Sequence, residues 1–194
     1  RSGVGFSFDQ LKSLPLSAAE VLEGIGKSIQ TGGKTMQRKA TASSEVKYCT
    51  DITHSFREGV IPPIVGFENE ISTIIEVLGR KHRSNILISG EAGVGKTALV
   101  EGFAARIVSG EVPSYLADAT VYSLDLNAVA VGATYKGEAE DRIKTVIDTL
   151  SASLGNILVI EGLDKVFDKQ GALFGATSII KQSLSTGGLM WICT

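Results

Sequence analysis

The chain has 194 residues, 43% of them hydrophobic and 21% charged, with a net charge of −2 and a pI near 5.8. That length can bury one good core plus a small appendage. The slightly acidic balance leaves no basic footprint for nucleic acid, and no apolar run nears the roughly 20 residues that span a bilayer. Two distant cysteines, Cys49 and Cys193, suggest neither a disulfide framework nor a metal site and point to the reducing cytosol.

In chain order, residues 1–45 differ in texture from the rest. Ser17 can cap a helix whose apolar stripe is Ala18, Val21, Leu22, Ile25 and Ile29, weakened by Gly24 and Gly26. Thr31 to Ser44 is rich in Gly, Lys, Thr, Ser and Ala and reads as a flexible linker. Residues 46–194 then carry the text of an α/β domain. β-prone runs are expected at Asn85–Ser89, Thr120–Leu124, Asn156–Glu161 and Leu189–Cys193. Helical patterns fill the gaps at Phe67–Leu78, Thr97–Ser109, Glu138–Ser151 and Ala176–Ser185. This alternation predicts a mostly parallel sheet in a three-layer fold, with ligand at the carboxyl ends of the strands. The chain starts on Arg1 and stops on an apolar run, which reads as a piece of a longer protein.

Gly90-Glu91-Ala92-Gly93-Val94-Gly95-Lys96-Thr97 completes the phosphate-cradling P-loop (Walker A) pattern, between the apolar Ile86-Leu87-Ile88 and the helical pattern opening at Thr97-Ala98. The glycines let successive backbone N–H groups converge on phosphates at the positive end of a helix. Residues Glu91 to Ala98 are therefore the expected contacts of a nucleoside triphosphate. Lys96 is expected on the β- and γ-phosphates, and the Thr97 hydroxyl on Mg²⁺. Two look-alikes, Gly26-Lys27-Ser28 and Gly33-Lys34-Thr35, lack the upstream glycine and the preceding strand.

A γ-phosphate also needs an acidic element at the end of a neighbouring strand: a carboxylate for the metal, then a glutamate that activates water. Asn156-Ile157-Leu158-Val159-Ile160-Glu161-Gly162-Leu163-Asp164 supplies the apolar run, with Glu161 on the metal side. Gly162 stands where the base belongs and has no side chain, a loss of about 10²–10⁴ in rate. Asp164 is the substitute base to consider. On a continuing strand it faces the same side as Gly162, about 6–7 Å further along. The expectation is a site that binds ATP with Mg²⁺ and hydrolyses it slowly or not at all.

The segments Tyr48–Thr53, Pro63–Ile71, the P-loop with Val100-Glu101-Gly102-Phe103-Ala104, Gly110–Pro113, Ser123–Leu126 and Gly132–Arg142 together resemble the first AAA+ module of the Clp family of unfoldases and disaggregases. The likeness runs over about Tyr48–Thr194. Gly-Glu-Ala-Gly-Val-Gly-Lys-Thr with Glu-Gly-Phe-Ala is closest in flavour to the ClpV type of type VI secretion.

The resemblance implies the large AAA+ subdomain of a P-loop NTPase, incomplete at its C-terminal side, from a chaperone that threads protein substrate through a homo-hexameric ring. The fragment alone is expected to be monomeric. Gly132–Gly137 would line the channel, with Tyr135 gripping polypeptide beside Lys136, and Val65 and Gly66 would flank adenine. An aromatic between glycines suits such a grip, although a tyrosine also packs on its own domain. The family's usual Asp-Glu pair is Glu161-Gly162 here, which puts hydrolysis in doubt and brings in a second class, a pseudo-ATPase scaffold gated by ATP binding. A DNA-loading ATPase sits poorly with the acidic balance.

Overall fold

The computed structural model describes residues 46–62, 64, 66–80, 84–133, 135, 137–169, 171 and 173–194. The expected N-terminal helix and linker, and the division near residue 45, lie outside them. Five strands form one sheet: β1 Cys49–Asp51, β2 Asn85–Leu87, β3 Thr120–Leu124, β4 Asn156–Ile160 and β5 Met190–Cys193, in the order β1-β3-β4-β5-β2. The pairs β3/β4, β4/β5 and β5/β2 are parallel, and only β1 runs antiparallel, on β3.

The strand residues sort by parity, as side chains of period two must. Ile157 and Val159 of β4, Val121 of β3 and Ile192 of β5 face one apolar cluster. It is closed by α2 (Glu68–Leu78) through Ile71 and Ile74, and by α3 (Lys96–Ser109) through Val100, Phe103 and Ile107. Leu158, Ile160, Tyr122 and Trp191 face the other cluster, closed by α5 (Glu138–Ser151) through Ile143, Val146 and Leu150, and by α7 (Ala176–Thr186) through Ile180. β4 is covered on both faces, and for that reason its sequence is a continuous apolar run rather than an alternating one. The expected three-layer, mostly parallel architecture is what the chain adopts.

Two of the expected spans agree residue for residue, β3 and α5; the others shift by one or two residues at an end. Five short elements were not expected: β1, α1 (Ile52–Arg57), a 3₁₀ turn at Ser114–Leu116, α4 (Leu126–Ala130) and α6 (Asp164–Phe167). Side-chain caps start two of them. The Asp51 carboxylate accepts the His54 N–H at 2.8 Å to open α1, and Asp125 accepts the Asn127 and Ala128 N–H groups at 2.9 and 3.0 Å to open α4.

Candidate functional site

The carboxyl ends of β2, β4 and β5 meet the amino end of α3, and the P-loop lies between them. Gly93 and Gly95 have φ of 83° and 97°, a left-handed backbone that glycine adopts without strain. Gly95 caps α3 without a side chain, so the first N–H groups of that helix keep free hydrogen-bonding capacity at its positive end. A second constraint acts on Gly95: a Cβ built there would lie 2.8 Å from Cζ of Phe67. Phe67 itself sits at φ 64°, directly after Gly66 at φ 104°. The turn expected to flank adenine thus reaches the phosphate loop through one aromatic ring. Val65, the other residue expected on the adenine side, lies outside the described residues.

The Lys96 ammonium donates to the carbonyls of Gly90 (3.0 Å) and Glu91 (2.9 Å). An ammonium has three donors, so the third is left for an incoming phosphate oxygen while the other two hold the loop closed. Glu91, Ala92 and Val94 are exposed, and Ala98 is half-buried on the first turn of α3.

Thr97 and Glu161, 64 positions apart in sequence, come together: the Thr97 hydroxyl donates to Glu161 Oε2 at 2.8 Å. A hydroxyl and a carboxylate side by side are hard oxygen donors of the kind Mg²⁺ takes alongside phosphates and water. They open on a cavity of about 420 Å³ that also contacts Glu101, Asp125 and Lys165. Glu101 is one turn beyond Thr97 on α3. Burial pushes its carboxyl above the usual glutamate range, and the negative charge of Glu161 adds to the rise.

The backbone corrects the expectation for Asp164. β4 ends at Ile160, Gly162 turns the chain at φ 71°, and Asp164 becomes the first residue of α6. Instead of being carried outward along a strand, the Asp164 carboxylate folds back: its Oδ1 lies 3.6 Å from where a Cβ on residue 162 would stand, and Lys165 Cε lies 3.4 Å from the same point. The space a side chain at 162 would occupy is bordered by a carboxylate and a lysine stem. Asp164, Gly162, Lys96 and Gly90 line a second cavity of about 410 Å³ on the other side of the P-loop lysine. The turn is held by Thr194, whose main-chain oxygen accepts the N–H groups of Gly162 (3.1 Å) and Leu163 (3.0 Å).

Tyr135 is 61% exposed, and its carbonyl accepts the Glu138 N–H at 3.2 Å. It lines neither of the two cavities at the phosphate loop. Lys136 lies outside the described residues. Sequence reasoning passed over Glu101 and Phe67 as site residues. The i, i+4 spacing from Thr97 gives Glu101 away, whereas nothing local marks Phe67.

A family model described as the SMAX1 nucleotide binding domain matches residues 64–179. The chain belongs to that family. Among curated proteins, this SMAX1-type domain is 42% identical over 159 residues to the chaperone protein ClpB of Mycobacterium tuberculosis (strain ATCC 25618 / H37Rv), covering 78% of this chain and 18% of that one. Among solved structures it is similar to the S. cerevisiae Hsp104-ADP complex, with 39% identity and a TM-score of 0.67, over 76% of this chain and 21% of the other. It is also similar to the extended conformation of the S. cerevisiae Hsp104:casein complex, with 37% identity and a TM-score of 0.63, over 76% of this chain and 26% of the other. The SMAX1-type domain is thus a nucleotide-binding module of the Clp-family AAA+ type with the P-loop NTPase fold, and it spans about a fifth to a quarter of these relatives.

Proposed function

We propose that this SMAX1-type domain is the ATP-binding module of a Clp-like AAA+ remodelling protein, that it acts on polypeptide within a homo-hexameric ring in the cytosol, and that hydrolysis at this site is impaired. The observation that carries the reading is the contrast between a complete phosphate cradle, with Thr97 and Glu161 2.8 Å apart, and a glycine at the next position. Glu91 to Ala98 bind the phosphates, and Gly66, with Val65, flanks the base. Thr97 and Glu161 would hold Mg²⁺, which when bound neutralises charge on the β- and γ-phosphates. Lys96 neutralises the remaining phosphate charge. With no side chain at 162, what base assistance remains comes from Asp164, whose carboxylate reaches back to that position. Tyr135 on the Gly132–Gly137 loop meets the substrate polypeptide; the presence of casein in the Hsp104 complex is in keeping with a protein substrate.

A second reading, an ATP-gated scaffold without turnover, is favoured by one observation: Gly162 sits in a left-handed conformation that disfavours the missing glutamate itself. The test is paired. ATP affinity is measured by calorimetry with Mg²⁺, and single-turnover hydrolysis is followed on the longest natural chain containing this segment, with any second ATPase module silenced. Tight binding with slow turnover that falls further in Asp164→Asn supports the motor reading. Tight binding with no turnover selects the scaffold, and absence of binding overturns both.

A further inference from the structure

Tyr135 sits in a loop whose two ends, Gly132 (φ 69°) and Gly137 (φ 104°), are both glycine. A left-handed glycine at each end sets where the chain turns, and the root of the loop is held by a side chain from outside it. Arg142, on the second turn of α5, is only 16% exposed and spends its guanidinium on the root of the loop. Nη1 donates to the carbonyls of Val129 (2.8 Å) and Val131 (2.7 Å). Nη2 donates to the carbonyl of Gly132 (3.3 Å) and to Glu138 Oε1 (2.7 Å). Val129 lies in the last turn of α4 and Val131 is its C-cap, so at least one of these acceptors is a carbonyl that a helix end leaves without an intrahelical partner, and a cation is favoured there.

The same guanidinium lies 5.4 Å from the centroid of the Tyr48 ring, with the Lys47 ammonium 4.9 Å from that ring. Tyr48 is fastened in its own right: it stands at φ 66°, and its carbonyl accepts the N–H of Asp125 (2.9 Å), the residue whose side chain caps α4. A cavity of about 490 Å³ runs beneath, bordered by Tyr48, Tyr135, Glu138 and Arg142. A flat fork of five N–H donors can satisfy three carbonyls and a carboxylate while stacking on an aromatic face; an ammonium cannot.

We propose that Arg142 is the positioning residue of the Gly132–Gly137 loop, joining the end of α4, the first turn of α5 and the approach to β1 so that Tyr135 is presented outward at a fixed angle. This rests on the reading of that loop as the polypeptide contact. It also gives Tyr48 a part: the ring braces the fork from the approach to β1.

The experiment uses the full-length protein carrying this segment. A spin label at position 135 (Tyr135→Cys) reports loop mobility, and fluorescein-labelled casein reports polypeptide affinity. In Arg142→Lys we expect a more mobile label, casein affinity about tenfold weaker because only a point charge remains, and ATP affinity within about twofold of the parent. A merely structural arginine would lower the melting temperature and leave the label's mobility in the folded protein unchanged, and that result overturns the proposal. If Arg142→Lys fails to fold, Tyr48→Leu, which keeps the fork and removes the ring, decides in the same way: a freed label supports the proposal and an unchanged one overturns it. Tyr135→Ala separates the two ideas. Unchanged casein affinity there overturns the polypeptide-contact reading on which the proposal rests, whereas label mobility in Arg142→Lys still decides whether Arg142 holds the loop.

Discussion

The two sides of the nucleotide site are built on different principles. On the P-loop side the shape is set several times over: left-handed glycines, a helix start, two hydrogen bonds from Lys96 and the Phe67 ring against Gly95 all impose one backbone path. On the β4 side a single glycine turns the chain, and the chemistry depends on which neighbouring side chains lean into the space it leaves. Binding and turnover can therefore be lost separately. On the proposed reading the first rests on the main-chain shape together with Lys96, and the second hangs on one or two carboxylates.

The largest test of this division is Lys96→Ala. It removes the charge proposed to face the phosphates together with two loop hydrogen bonds, so ATP affinity by calorimetry should fall by about 10²-fold or more. Micromolar affinity retained in that variant would break the assignment of the cradle. Next in size is Gly95→Ala. The left-handed backbone costs about 1–2 kcal/mol, and forcing the Phe67 ring aside costs about 1–3 kcal/mol more. Denaturant titration should show both terms. In the double variant with Phe67→Leu only the second should be recovered, so additive effects would mean the ring does not press on the loop.

On the other side, Asp164→Asn should leave ATP affinity alone and lower residual single-turnover hydrolysis by about 10²-fold, the lower end of what a base contributes. Gly162→Glu should raise turnover only in a chain long enough to assemble, while costing about 1–2 kcal/mol of stability for its left-handed backbone. The smallest effect belongs to Glu101→Gln. Because the Glu101 pKa is raised in the fold, the folded state holds more proton than the unfolded chain between the ordinary and the raised value, and stability declines as pH rises through that window. The glutamine should raise the melting temperature slightly near pH 7. The gain should vanish below about pH 4, where the carboxyl is protonated in both states.

What the sequence revealed follows the same line. A P-loop is legible because its function is a backbone geometry that only certain glycine spacings allow. β4 is legible because a strand buried on both faces must be apolar throughout, as Ile157-Leu158-Val159-Ile160 is. β1 escaped notice because it is three residues long and lies at the sheet edge, held by pairing with β3 rather than by its own composition. The turn at Gly162 was misread for a physical reason: a strand pattern says how far apolar residues continue, not that a left-handed glycine will fold the next carboxylate back. Contacts such as Phe67 on Gly95 and Arg142 on the carbonyls of α4 depend on tertiary approach, and no local pattern encodes them.

The main-chain oxygen of Thr194 that binds both Gly162 and Leu163 has a consequence for how this end of the sheet opens. An acceptor serving two amides releases both when it moves, so these two amides should share one opening free energy, set by the parting of β5 from β4, once each uptake is corrected for its intrinsic rate. Their deuterium uptake is a direct gauge of how often the turn carrying Glu161 and Asp164 lets go of the sheet.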